Sequence, residues 1–299
     1  MRLHGTTMGT RWAVAYAGAD LPGAAVSRRI EARLAAMVAE LSHWEAQSDL
    51  SRFNRAPSGC WVALPVDFAT VIAAGLAMAA LSGGAFDPAI GRLVDLLGFG
   101  PPGPQPPPSP AEHADALATG GAARLAYDAA ARRLRQPGGL ALDLSGIAKG
   151  HAVDRLASEL RALGLNDWLV EIGGEFKGAG MRPDGDPWWI EMEDPPGCSF
   201  PAIRVALHGL AIASSGDYRR GAHTIDPRTG HPVGNDVRAV SVLHASAMWA
   251  DAWATALTVL GVDHGLRLAA EHDIAARIVS ASQEGVNEYL SPALGRMMS

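Results

Sequence analysis

The stretch from Trp168 to His244 decides the fold. Within it, Trp168-Leu169-Val170-Glu171-Ile172, Trp188–Met192, Ile203–Leu207, Leu210–Ser214 and Arg238–His244 follow one another as short apolar runs. Most are joined by Gly- or Pro-bearing turns rather than helices. Parallel neighbours need a long crossover, so these short connections predict antiparallel pairing. Outward from this stretch, Trp12–Tyr16, Arg132–Gln136, Leu140–Leu144 and Ala275–Ser280 also read as strands. Ala24–Leu41 places Val26, Ile30, Leu34, Met37, Val38 and Leu41 at helical spacing. Asp67–Leu81 is an apolar, buried helix, and Ile147–Leu163 is a helix stopped by Gly164. Ala247–Leu260 and Asp263–Glu271 complete the set. Strands come in runs with helices at a few points, so the class is α+β: a mixed, largely antiparallel sheet core with packed helices.

The chain has 299 residues, 48% hydrophobic and 19% charged, a globular composition that excludes wholesale disorder. Its net charge of −6 lacks the positive field of a generic nucleic-acid binder. Cys60 and Cys198 are too few for a disulfide scaffold or a Cys-based zinc site. The longest mostly apolar run, Val71–Leu81, is far short of the roughly 20 residues that span a bilayer. Patterned sequence begins almost at Met1, with no export signal, so the expected location is the cytoplasm, or the periplasm if a presequence is missing. Pro101–Pro110 holds seven prolines in ten positions and is expected to be an exposed, extended loop within a single domain spanning 1–299.

Several patterns fail on context. Gly98-Phe99-Gly100-Pro101-Pro102-Gly103 has dinucleotide-site spacing but opens a proline-rich loop rather than a helix. Ser145-Gly146-Ile147-Ala148-Lys149-Gly150 lacks the upstream glycine and the Ser/Thr of a Walker sequence. The histidines show no zinc-protease spacing, and there is no Gly-x-Ser-x-Gly elbow.

Other clusters carry more. Leu142-Asp143-Leu144-Ser145-Gly146-Ile147-Ala148-Lys149-Gly150 puts a carboxylate at the end of a strand, then a glycine, then a helix start bearing a lysine. Helix N-terminal amides and an ammonium suit a phosphate, although an ordinary strand–helix connection is about as well favoured. Asp251 and Thr255 lie at i and i+4 on one helix face, hard oxygen donors suited to Mg²⁺ or Ca²⁺ or simply to each other. His223, beside the Asp226-Pro227-Arg228-Thr229-Gly230 turn, reads as a structural histidine or, next to a phosphate, as an acid–base. Gly83-Gly84-Ala85-Phe86-Asp87-Pro88 reads as a helix end and turn, or as a close approach of backbone to a ligand.

In order along the chain, Met8-Gly9-Thr10, Trp44 before Ser48–Asn54, Ala85-Phe86-Asp87, Asp143–Gly150, Ile172-Gly173-Gly174-Glu175, Ser215–Tyr218, His223–Gly230 and Asp251-x-x-x-Thr255 resemble the ApbE family, the FAD:protein FMN transferases. The resemblance runs from about Gly5 to Gly261. It implies a T-fold-related α+β fold with a central flavin cleft. The implied activity is Mg²⁺-dependent splitting of FAD, with FMN attached through a phosphoester to Thr or Ser of an acceptor flavoprotein and AMP released. By motif, Met8, Trp44, Ala85, Phe86, Asp87, Asp143, Lys149 and Ile225 would contact FAD. Asp251, Thr255 and the Gly146 carbonyl would hold the metal. His223 is the expected base, with Asp143 the next catalytic candidate. An FAD pyrophosphatase, with water replacing the acceptor, and a non-catalytic flavin-binding protein are the alternatives.

Overall fold

The computed structural model describes residues 1–18, 21–216, 223–282 and 285–298. They form two compact units: Met1–Ala35 with Lys149–Gly221 and Asn235–Ser299, and Ala36–Ala148 with Ala222–Gly234.

The first unit is built on an eight-stranded sheet. Its order is Arg2–Thr7, Thr10–Ala17, Asp167–Ile172, Glu175–Ala179, Ala211–Ser215, Val237–His244, Ala275–Ser282 and Gly285–Leu290. Every neighbouring pair is antiparallel, with short connections joining the first two strands, Asp167–Ile172 to Glu175–Ala179, and the last two. Tight hairpins set the register. Gly173 and Gly174, at φ 63° and 103°, join two strands by a two-residue turn and leave Glu175 opposite Ile172. Such turns need positive φ at both central positions. Met8-Gly9 makes a similar turn at φ 48° and 69°, which holds a non-glycine residue in a left-handed conformation.

Two helices of this unit, Ala148–Ala162 and Ala247–Glu271, carry Lys149 and Asp251. Sequence spacing predicts the second as two helices, Ala247–Leu260 and Asp263–Glu271. The backbone agrees: Gly261 takes φ 77° and ψ −177° between helical segments. Asn235 Nδ2 donates to the Thr258 carbonyl at 2.9 Å, satisfying an acceptor at the break. Trp12, Trp168, Ile172, Val240, Val242 and Leu257 are buried in the core.

The second unit packs the buried Val66–Leu81 helix with Asp49–Asn54, Gly91–Leu96, Pro110–Thr119 and a three-stranded sheet of Trp61–Ala63, Arg133–Arg135 and Ala126–Asp128. Leu140–Leu144, expected as a strand, is not one. Its leucines alternate into the core, but its backbone has other partners. Asn54 brackets Leu142, accepting from its N–H at 2.8 Å and donating to its carbonyl at 3.1 Å. Asp143 N–H donates to the Pro88 carbonyl, and the Ala141 carbonyl accepts from Gly91. Asp143 therefore closes a buried extended segment, not a sheet strand. In the proline-rich segment no helix or strand forms before Pro110, which starts the Pro110–Thr119 helix behind a Ser109–Glu112 capping box.

Candidate active site

In the first unit the chemistry gathers where two helices meet. Gly150 lies in the first turn of Ala148–Ala162, and its N–H donates to Asp251 Oδ2 at 3.0 Å. A Cβ on Gly150 would stand 2.2 Å from the Ala247 carbonyl oxygen and 2.8 Å from Asp251 Cβ. Only glycine lets the two backbones approach this closely. One residue earlier, Lys149 Nζ bonds Glu175 Oε1. Glu175 is 1% exposed, and its other oxygen, Oε2, has no hydrogen-bond partner. Burial pushes the Glu175 carboxyl up to about 7, with the Asp251 charge adding to it and the Lys149 ammonium opposing. Asp251 is raised for the same reason, burial, against the pull of Lys149 and the Gly150 N–H. Thr255 follows one turn after Asp251, half-buried.

A clamp fixes the start of the Asp251 helix. Asp154 accepts from Lys177 Nζ at 2.5 Å, Ser246 Oγ at 2.6 Å, and the Ala247 and Met248 N–H groups at 3.1 Å each. Carboxylates are favoured at a helix N-terminus by its exposed amides and dipole. Burial raises the Asp154 carboxyl. The Lys177 ammonium and the bonds from Lys177, Ser246 and Met248 outweigh that and hold it below the usual range.

The second unit places Asp143 in a tight polar turn. Asp143 Oδ1 accepts from Ser145 N–H and Oδ2 from Ser145 Oγ, each at 2.9 Å, which shapes the chain through Gly146 into the helix start. His43 Nδ1 sits 3.4 Å from Asp143 Oδ1, and His43 Nε2 is buried with no hydrogen-bond partner. The His43 ring lies 5.4 Å from that of Trp44, which is 61% exposed. A large exposed indole is a ready platform for a planar ring. Asp87 is braced on both oxygens, by Ala89 N–H at 2.7 Å and Ala122 N–H at 2.8 Å. Burial nonetheless leaves its carboxyl raised. Ala85 and Phe86 are buried beside it. Ile225 pairs with Pro232 across the Asp226–Gly230 turn, which a bidentate Arg228–Asp226 contact at 2.9 Å stiffens. His223 is half-buried just before that turn. Asp217 and Tyr218, also quoted from the sequence, lie outside the described residues.

Lys149 and Asp251 are thus brought together, and Trp44 and Asp143 meet through His43. Reasoning from sequence missed His43, Asp95 and Asp154, and gave Glu175 and Lys177, one of only two lysines, no role. Asp95 carries a raised carboxyl from burial, drawn down by His43 and pushed up by Asp143. The Ile172–Glu175 motif was the available signal for Glu175. Nothing local marks His43 or Asp154.

The donor set fits a divalent cation. Two buried carboxylates, Asp251 and Glu175, share one ammonium, and one carboxylate oxygen is orphaned. Oxygen donors of this kind suit Mg²⁺.

The ApbE family model matches residues 8–278. This chain belongs to the ApbE family. Its relatives include the FAD:protein FMN transferase of Haemophilus influenzae, 34% identical over 99% of this chain and 90% of that protein. The Vibrio cholerae protein of the same name is 34% identical over 100% of this chain and 93% of its own length. Among solved structures, the flavinyl transferase ApbE of Pseudomonas stutzeri matches with a TM-score of 0.92 and 36% identity, covering 99% of this chain and 96% of that one. The α+β class read from the strand runs is the class of these ApbE structures.

Proposed function

We infer that this chain is an FAD:protein FMN transferase. It splits FAD, attaches FMN to a Thr or Ser hydroxyl of an acceptor flavoprotein, and releases AMP. The reading is carried by the Lys149–Glu175–Asp251 cluster, a half-buried ammonium and two buried carboxylates, in a chain that aligns over nearly its full length with proteins of that name.

Each residue then has a task. Asp251 and Thr255, with the Gly146 carbonyl, would hold Mg²⁺, which when bound neutralises charge at the pyrophosphate. Lys149 and the amides opening Ala148–Ala162 orient the phosphate oxygens and stabilise their charge. Trp44 offers its exposed face to the flavin ring, with Met8, Ala85, Phe86, Asp87 and Ile225 the other proposed contacts. The acceptor oxygen bonds to the FMN phosphorus as the phosphoanhydride P–O bond breaks and AMP leaves. His223 takes the hydroxyl proton, and Asp143 helps set the helix start through its Ser145 bonds. We take the whole chain, 1–299, as the working domain.

The test is intact-mass analysis of an acceptor domain incubated with the protein, FAD and Mg²⁺. One FMN added per acceptor, with equimolar AMP, is the expected result. FMN and AMP appearing in solution with the acceptor unmodified would instead identify a pyrophosphatase.

A further inference from the structure

Glu175 belongs to a motif to which the reaction as described gives no work. It begins the Glu175–Ala179 strand, placed by the Gly173-Gly174 turn opposite Ile172. Its Oε1 is bonded by Lys149, while Oε2 is buried and has no partner. An orphaned carboxylate oxygen in the interior has lost its water and gained nothing in exchange. Lys149, held by Glu175, immediately precedes Gly150, whose N–H donates to Asp251 Oδ2 at 3.0 Å. Magnesium dehydrates reluctantly and keeps several waters, whose O–H groups need acceptors.

We propose that Glu175 is a positioning residue of the cation site, holding Lys149 through Oε1 and accepting from a metal-bound water through Oε2. The same carboxylate thereby keeps the ammonium and the divalent ion side by side, so that both face the pyrophosphate. Lys149 is held off Mg²⁺ by charge repulsion and held near it by Glu175. This rests on the reading of the Asp251 site as a metal site for FMN transfer.

The test uses metal alone. Mg²⁺ is titrated calorimetrically into the EDTA-treated, dialysed full chain, with no flavin or acceptor present. Outer partners of metal sites typically change affinity about 10–100-fold. Glu175→Gln keeps the shape and removes the charge, so its Mg²⁺ Kd should rise by that factor, with any loss of fold from the broken Lys149 pair read separately as the melting temperature in EDTA. An unchanged Kd overturns the proposal. Should Glu175→Gln fail to fold around an unneutralised lysine, Lys149→Met and Lys149→Met/Glu175→Gln make the same comparison without the ammonium. The double variant binding Mg²⁺ about 10–100-fold more weakly than Lys149→Met supports the role, and equal binding removes it. A protein that binds Mg²⁺ through Glu175 yet transfers no FMN would sink the functional reading and leave this one standing.

Discussion

Gly150 N–H donates to Asp251 Oδ2 at 3.0 Å, and this one bond joins the glycine that ends the Asp143–Gly150 motif to the aspartate that begins Asp251-x-x-x-Thr255. The motifs lie 101 residues apart in sequence. Gly150 therefore has two duties. It clears space for the Ala247 carbonyl, and it supplies an amide that fixes the carboxylate rotamer.

Gly150→Ala should break both. The added methyl would fall 2.2 Å from the Ala247 oxygen, so the helices must separate. Overpacking of this kind costs about 1–3 kcal/mol. Urea unfolding should show that loss, and Mg²⁺ titration should show weaker binding. Wild-type stability and metal affinity together would mean that the contact is slack.

Asp251→Ala removes a charged oxygen donor from the cluster and leaves the ring platform of Trp44 alone. FAD fluorescence quenching should persist while FMN transfer is lost at any Mg²⁺ concentration. Transfer at the wild-type rate under limiting Mg²⁺ would show that the metal is held elsewhere.

The Asp154 clamp predicts an acid limb of stability. Its folded carboxyl lies below the usual range, so its contribution is fully present above the unfolded value of about 3.9 and disappears as pH falls through the folded one. Asp154→Asn leaves Lys177 without its carboxylate and should cost about 3–5 kcal/mol near neutral pH, the scale for breaking a buried pair. Denaturant midpoints for the two proteins should converge as the pH drops below about 4. A constant gap down to pH 2 would assign the clamp to shape rather than charge.

Trp44→Ala removes an indole that packs only lightly on the protein, being 61% exposed. Folding stability should hardly change. FAD affinity should weaken by about 1–3 kcal/mol, the usual worth of stacking a base on an aromatic side chain. Unaltered FAD binding would remove Trp44 from the flavin contacts.

Arg2–Thr7, Glu175–Ala179 and Gly285–Leu290 of the large sheet were not read as strands, and Trp189–Glu191 and Arg204–Ala206 pair with each other outside that sheet. The other five of its eight strands were legible because their signals are local, apolar alternation and short Gly- or Pro-bearing turns. Leu140–Leu144 misled for the same reason. Alternating leucines announce a buried extended segment, but whether a neighbour offers a ladder depends on Asn54, 88 residues away from Leu142. The Lys149 and Asp251 positions were readable as motif residues. The partner of Lys149, Glu175, 26 residues away, was not, because a pairing across a sheet and a helix leaves no spacing in the sequence. Asp154 is hidden likewise, since on its own helix it reads as an ordinary polar position.

His223→Asn tests the base. The residue stands half-buried before the Ile225–Pro232 bridge, in a turn stiffened by Asp226 and Arg228. Asparagine has similar size and can hydrogen-bond, but it takes up no proton near neutral pH. A general base contributes about 10²–10⁴-fold in rate. FMN transfer should fall by that order while FAD affinity stays within a few-fold of wild type. Because a protonated imidazole cannot accept a proton, the acidic limb of the wild-type pH–rate profile should flatten in the variant. Suppose instead that FAD binding or melting temperature falls in step with activity. His223 would then be a binding or packing residue, and Asp143, already held by Ser145 and His43, or Asp87 would be the next candidate for the base.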